Sequence, residues 1–127
     1  MIVTATHEDR PLFTHDYVKP GAIIITLGSY RELAPLLVMN STYRIVDSLD
    51  QNRHRGEFKT YFEEGKLSDS DIYAEIGDII AGRIPAPSAG EGWGVASLIG
   101  MGSLDIAIAK KAYEAARRGS IGGIFEF

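Results

Sequence analysis

The residues of this chain best placed to do chemistry stand where an apolar run stops. Ile25-Thr26-Leu27 gives way at once to Gly28-Ser29-Tyr30-Arg31. A plain turn accounts for the first pair, because glycine lets a chain leave a strand sharply and serine satisfies turn amides. The same residues also suit a ligand. Gly28 would admit a flat ring close to the backbone, and Ser29, Tyr30 and Arg31 would orient its polar substituents. A guanidinium grips a carboxylate through two parallel hydrogen bonds, which makes Arg31 the natural contact for an acid. Arg31-Glu32 reads equally well as a solvated ion pair. Thr4-Ala5-Thr6 puts small side chains at the end of another apolar run, where a cofactor could lie.

Other chemistries have less support. Ile99 to Asp105, IGMGSLD, has Gly-x-Gly ahead of a helix, and helix N-termini attract phosphate. The third glycine of a dinucleotide loop is replaced by Asp105, whose charge would repel a pyrophosphate. Close packing of the helix start is the simpler reading. His7, His15 and His54 have no metal-site spacing and read as surface residues. Ser29 lacks the partners of a serine triad. The chain has no cysteine, which excludes disulfides and thiol catalysis and fits a reducing cytosol.

The elements that must position these residues follow from the apolar pattern. Ile2 to Thr6 is short, β-branched and ended by a polar cluster, so it predicts a strand. His15 to Val18 suits a short helical turn before Lys19-Pro20-Gly21. Ala22 to Leu27 is nearly continuous in apolar residues, the mark of a strand covered on both faces. Arg31 to Met39 is part helix, Tyr43 to Val46 a third strand. Ser48 or Asp50 caps a helix to about Glu64. Ile72, Ile76, Ile79 and Ile80 recur at helical spacing up to Gly82. Residues 84–96, with two prolines and several glycines, predict a surface loop anchored by Trp93. A long helix follows from about Gly102 to Arg118, with Leu104, Ile108, Lys111, Ala112 and Ala115 on one face and Gly119 in the left-handed position after it. Residues 122–127 read as a final strand.

Strands alternating with helical crossovers predict an α/β fold, half of a doubly wound parallel sheet, in one domain over residues 1–127. In such a sheet ligands bind beyond the carboxyl ends of the strands. Three exits qualify: Thr4-Ala5-Thr6, Gly28-Ser29-Tyr30 and Asp47-Ser48. Adjacent strands would place all three on one edge. The formal charge of −4, from 13 basic and 17 acidic residues, lacks the footprint of a nucleic-acid partner. The longest apolar runs are far short of a membrane span. The expected location is the cytoplasm.

In order and spacing these landmarks resemble the C-terminal part of the ornithine cyclodeaminase/mu-crystallin family. The segments concerned are IVTAT, VKPGAIIITLGS, YRIVDS, GEF with EEGKLSDSDIYAEIGDIIAGRIP, and GMGSLDIAIAKKAYEAARRG. YRELAP and GMGSLDIA are similar to the branch that forms 2,3-diaminopropionate. The resemblance implies a partial Rossmann fold and NAD or NADP as cofactor. It also implies oxidation of an amino-acid C–N bond by hydride transfer to give an imine. It puts Thr4, Ala5, Thr6, Gly28 and Ser29 beside the nicotinamide, and Tyr30 and Arg31 beside a small amino-acid substrate. Tyr30 stands where cyclodeaminases carry a catalytic aspartate. The phosphate-binding loop, its ribose-binding acid and the substrate domain find no counterpart in these 127 residues. The expectation is therefore a chain with weak or no NAD binding and no activity alone, either a fragment of a longer protein or completed by a second copy or a separate N-terminal half. The alternative is a non-catalytic oligomeric module of the same fold.

Overall fold

The computed structural model describes every residue except Asp9, Ile124, Glu126 and Phe127. Five strands form one parallel sheet: β1 (Ile2–Thr4), β2 (Ala22–Thr26), β3 (Tyr43–Val46), β4 (Ala74–Glu75) and β5 (Trp93–Ser97). Their order is β1-β2-β5-β3-β4, with every neighbouring pair parallel. The crossovers carry α1 (Pro35–Met39), α2 (Leu49–Asn52), α3 (Lys59–Glu63) and α4 (Ile76–Ile80). The long helix α5 (Gly102–Arg118) follows the last strand, and a short 3-10 turn forms at His15–Tyr17.

Alternation along the strands gives the sheet two unequal faces. Ile24, Val46 and Val95 point to one face and join Leu33, Leu37, Val38, Phe58, Tyr61 and Leu67 in a single buried cluster. On the other face Ile23 and Ile25 are only half-buried, and Val3 is exposed. The parallel sheet expected from the near-continuous apolar run of β2 is thus present, with its larger apolar cluster on one side and Ile45, Ala74 and Ala96 buried on the other.

Several expected boundaries change. The segment read as a loop over 84–96 ends in β5, which lies at the centre of the sheet between β2 and β3. Two of its glycines, Gly92 and Gly94, point to a loop in the sequence but have a packing cause, while Gly90 has open space. A Cβ on Gly94 would stand 2.1 Å from ring carbons of Tyr43. Trp93 does act as an anchor, donating from Nε1 to the Leu37 carbonyl at 2.7 Å. The helix expected from Ser48 to Glu64 divides into α2 and α3, with Gly56 between them at φ +85°. The Ile72 to Ile80 repeat is interrupted by β4, which pairs with β3. Gly119 keeps a right-handed conformation and Ser120 carries the positive φ instead. Gly100 and Gly102 have open space where a Cβ would stand, so close packing does not explain them. The expected final strand at 122–127 falls largely on residues outside those described.

Gly94 gives a test of this packing. Gly94→Ala forces a methyl into the Tyr43 ring, and overpacking of this kind costs about 1–3 kcal/mol. Urea unfolding should show that loss. Placing the change in a Tyr43→Ala background should recover most of it, and equal losses in both backgrounds would refute the contact.

Candidate functional site at the carboxyl edge of the sheet

All five strands run the same way, so their exits share one edge. The sequence expectation of three adjacent strands is corrected in one respect: β5 separates the exits of β2 and β3. Leu98 continues the pattern by donating its N–H to the Thr26 carbonyl, as Leu27 does to Thr4.

Three buried carboxylates hold these exits. Glu32 is fully buried and was legible in the sequence only as half of a surface ion pair. That reading fails because its carboxylate turns inward across β1 and β2. Thr4 Oγ1 donates to it at 2.6 Å, Thr6 N–H and Thr6 Oγ1 each at 2.7 Å, and Gly28 N–H at 3.4 Å. Burial pushes this carboxyl up, but the hydrogen bonds from Thr4, Thr6 and Gly28 outweigh that and hold it below the usual range. Glu57, also fully buried, accepts from the Glu32 and Leu33 amides at 2.7 and 3.2 Å. Asp47 accepts from Ser48 N–H at 2.9 Å, Asn52 Nδ2 at 3.0 Å and Gly100 N–H at 2.7 Å. It thereby ties the exit of β3 to that of β5.

Glu57 differs from Glu32 in having one oxygen, Oε1, that is buried without a partner. Burial raises its carboxyl to about 8, against the pull of the two amides and of Arg31. The run HRGEFKTYFEEG lies within the helix expected up to Glu64, and an acid, not only Phe58 and Tyr61, occupies its buried side. No spacing signal marks Glu57, since a lone acid in a charged run looks like surface.

The residues expected to form the site fall into three groups. Thr4 and Gly28 are buried within the Glu32 clasp. The side of Gly28 where a Cβ would stand is filled, with Glu32 Cδ at 2.9 Å and the Thr6 carbonyl at 3.0 Å. This glycine is needed for the clasp itself. Ala5, Thr6 and Ser29 form the accessible ledge above it. Tyr30 is exposed, and Arg31 lies over the Tyr61 ring, 5.6 Å from its centroid, rather than in an ion pair with Glu32. His7, His15 and His54 are exposed, and the described residues include no group of three His, Asp or Glu able to hold a metal.

A parallel α/β half-sheet whose carboxyl-edge exits are fixed by buried acids is the class of structure seen here, and it is of the Rossmann type. The family model for the ornithine cyclodeaminase/mu-crystallin family matches residues 1–120, and the chain belongs to that family. Among curated relatives, a Bacillus cereus delta(1)-pyrroline-2-carboxylate reductase is 32% identical over 132 residues, covering 100% of this chain and 40% of its own. The alanine dehydrogenase of Archaeoglobus fulgidus is 26% identical over 130 residues, with the same coverage of 100% and 40%. Among solved structures, an archaeal alanine dehydrogenase dimer with bound NAD superposes with a TM-score of 0.84 at 28% identity, over 98% of this chain and 40% of the other. The iminosuccinate reductase of Paracoccus denitrificans in complex with NAD+ gives 0.85 at 25% identity, over 99% and 39%. The chain thus spans about two fifths of the length of the relatives it matches.

Two consequences can be measured. Glu32→Ala leaves the Thr4 hydroxyl and the Thr6 and Gly28 amides without their acceptor. It should cost about 3 kcal/mol or more in urea unfolding, and Glu32→Gln less. A surface-like loss below about 0.5 kcal/mol would refute the clasp. For Glu57 the folded carboxyl keeps its proton to a higher pH than the unfolded one. Stability therefore falls as pH rises from 4.5 to about 8. Glu32 has the opposite sign, and its contribution is lost as pH drops below 4.5. Glu57→Gln should flatten the decline between 4.5 and about 8, by an amount on the order of a few kcal/mol. Parallel slopes for the two proteins would exclude Glu57 as its source.

Proposed function

We propose that this chain forms the C-terminal half of the dinucleotide-binding domain of an ornithine cyclodeaminase-like, NAD-dependent amino-acid dehydrogenase or deaminase. The observation that carries this is the Glu32 clasp, which sets the exits of β1 and β2 at fixed spacing on the sheet edge where open α/β folds take ligands. Family membership and the two NAD-bound neighbours support it.

The residues on the ledge fit a nicotinamide. Ala5, Thr6 and Ser29 are small, Gly28 lies flat beneath them, and none projects a bulky group over the β1 and β2 exits. In this reading Thr4, Ala5, Thr6, Gly28 and Ser29 make up the nicotinamide side, with Thr4 and Gly28 acting from within through Glu32. Tyr30 and Arg31 border an amino-acid substrate whose carboxylate Arg31 receives. The cofactor, NAD or NADP, supplies the hydride acceptor. The protein's part is to hold the reacting carbon against it, and pre-set geometry of this kind is a large source of rate. Tyr30 carries no carboxylate, so a cyclodeaminase-type proton transfer has to use another residue than the aspartate of that position.

The sequence contains no Gly-x-Gly-x-x-Gly. The pyrophosphate cradle therefore has to be supplied by residues outside these 127, and these residues by themselves are inactive. Calorimetric titration of NAD into the chain should give no saturable binding at micromolar concentration. Binding should appear when a polypeptide bearing the glycine-rich loop is added. Micromolar affinity of the chain alone would overturn the proposal.

One observation favours a second reading, a non-catalytic oligomeric module. Helix α5 is exposed along its length, with Leu104, Ile106, Ile108 and Tyr113 all open to solvent. Leu104 and Ile108 share one face and Ile106 and Tyr113 another, and exposed apolar faces of this kind mark a contact surface. Size-exclusion chromatography with light scattering separates the two readings. A stable self-dimer that is indifferent to the complementing polypeptide supports the module, whereas a monomer that shifts only on its addition supports the half-domain.

A further inference from the structure

Beside the ledge is a hollow of about 280 Å³ that no residue spacing announces. It lies between the β2 exit and the segment joining α2 to α3. Its walls carry Ser29, Arg31, His54, Arg55, Lys59 and Thr60, and no aspartate or glutamate. Three permanent cations thus converge on one small space in a chain whose formal charge is −4.

The walls are held in place. Gly56 N–H donates to the Ser29 carbonyl at 3.2 Å, joining the two sides. Arg55 is steered by Gln51 Oε1 and the Gly100 carbonyl, each at 2.8 Å, and both are neutral. Arg31 rests on the Tyr61 ring, and among the described residues no carboxylate reaches salt-bridge distance of it. Lys59 has a single acidic neighbour, Glu63, at 3.7 Å on the exposed side of α3. Glu64 is drawn to Lys66, at 2.6 Å. The acid nearest in sequence to the hollow, Glu57, holds its proton at neutral pH and does not cancel the cations above it.

Clustered cations with rigid guanidinium forks and hydroxyl donors are the recognition chemistry of oxyanions. The volume decides the size of the ligand. Sites for drug-sized molecules occupy roughly 300–1,000 Å³, so this hollow takes one charged head group and not a dinucleotide. We propose that it is an oxyanion subsite that binds the phosphate or carboxylate group of a small metabolite. Arg31 lies on its rim, so the subsite receives the same anionic end of the substrate that Arg31 contacts. That last role rests on the function proposed above; anion binding itself does not, and its test contains no dinucleotide.

The test is a titration of the ¹⁵N-labelled full chain with inorganic phosphate, and separately with succinate, at constant ionic strength set by chloride. Amide signals of residues 29–31 and 54–60 should move saturably, with a dissociation constant on the order of a millimolar or tighter. Lys59→Glu, an exposed change that inserts a carboxylate, should weaken binding about tenfold or more. Arg31→Gln should do the same, and the dispersion of the amide spectrum reports whether either variant remains folded. Tighter phosphate binding identifies a phosphate ester as the ligand class, and tighter succinate binding a dicarboxylate; either supports the subsite. Shifts that are linear, scattered over all surface lysines and arginines, or unchanged in both variants would overturn it.

Discussion

The structure depends on acids placed where solvent cannot reach them. A parallel sheet leaves its strand exits as separate loops, each free to move relative to the next. Here Glu32 joins the exits of β1 and β2, Glu57 fixes the backbone that carries Glu32, and Asp47 joins β3 to β5. Such groups are costly to bury and stay only where their hydrogen bonds are met. Glu32 meets that condition by four donors. Glu57 meets it partly, with one oxygen unpartnered, and retains a proton instead. The rigidity of the ledge is the outcome of these two different solutions.

Much of the framework could be read from local pattern. The apolar run of β2, the β-branched β1 and the Tyr43 to Val46 segment announced themselves, because burial on both faces or a polar boundary leaves a mark on neighbouring residues. The long helix was visible in its periodicity and its basic end. What stayed hidden depended on contacts between distant residues. β5 looked like a loop because Gly94 must lack a side chain to admit Tyr43, and a sequence does not display the ring that lies opposite. Glu32 sat next to an arginine and so resembled a surface pair, while its true partners are 28 and 26 residues away.

The candidate site shows the same division. Gly28 and Ser29 were evident as a turn with a polar tip, and the family resemblance gave the tip a purpose. The cationic hollow was not evident, because Arg31 and the 54–60 segment meet only through the turn at Gly56. Breaking the expected helix between α2 and α3 is what turns Arg55 and Lys59 toward Ser29. A departure from regular structure thus made a site out of residues that a continuous helix would have left in solvent.

The position of β5 has a bearing on how the molecule is made. Among the described strands it is the latest in sequence and it alone touches both halves of the sheet, since β1 pairs with β2 and β3 with β4. Until Ser97 has cleared the ribosome's exit tunnel, those two pairs have no strand to join them into one sheet. The nascent segment therefore carries open β-edges between the completion of β4 and that of β5, and such edges invite wrong pairing. Termination between Glu75 and Trp93 would release not a shortened version of this sheet but two strand pairs with no strand between them.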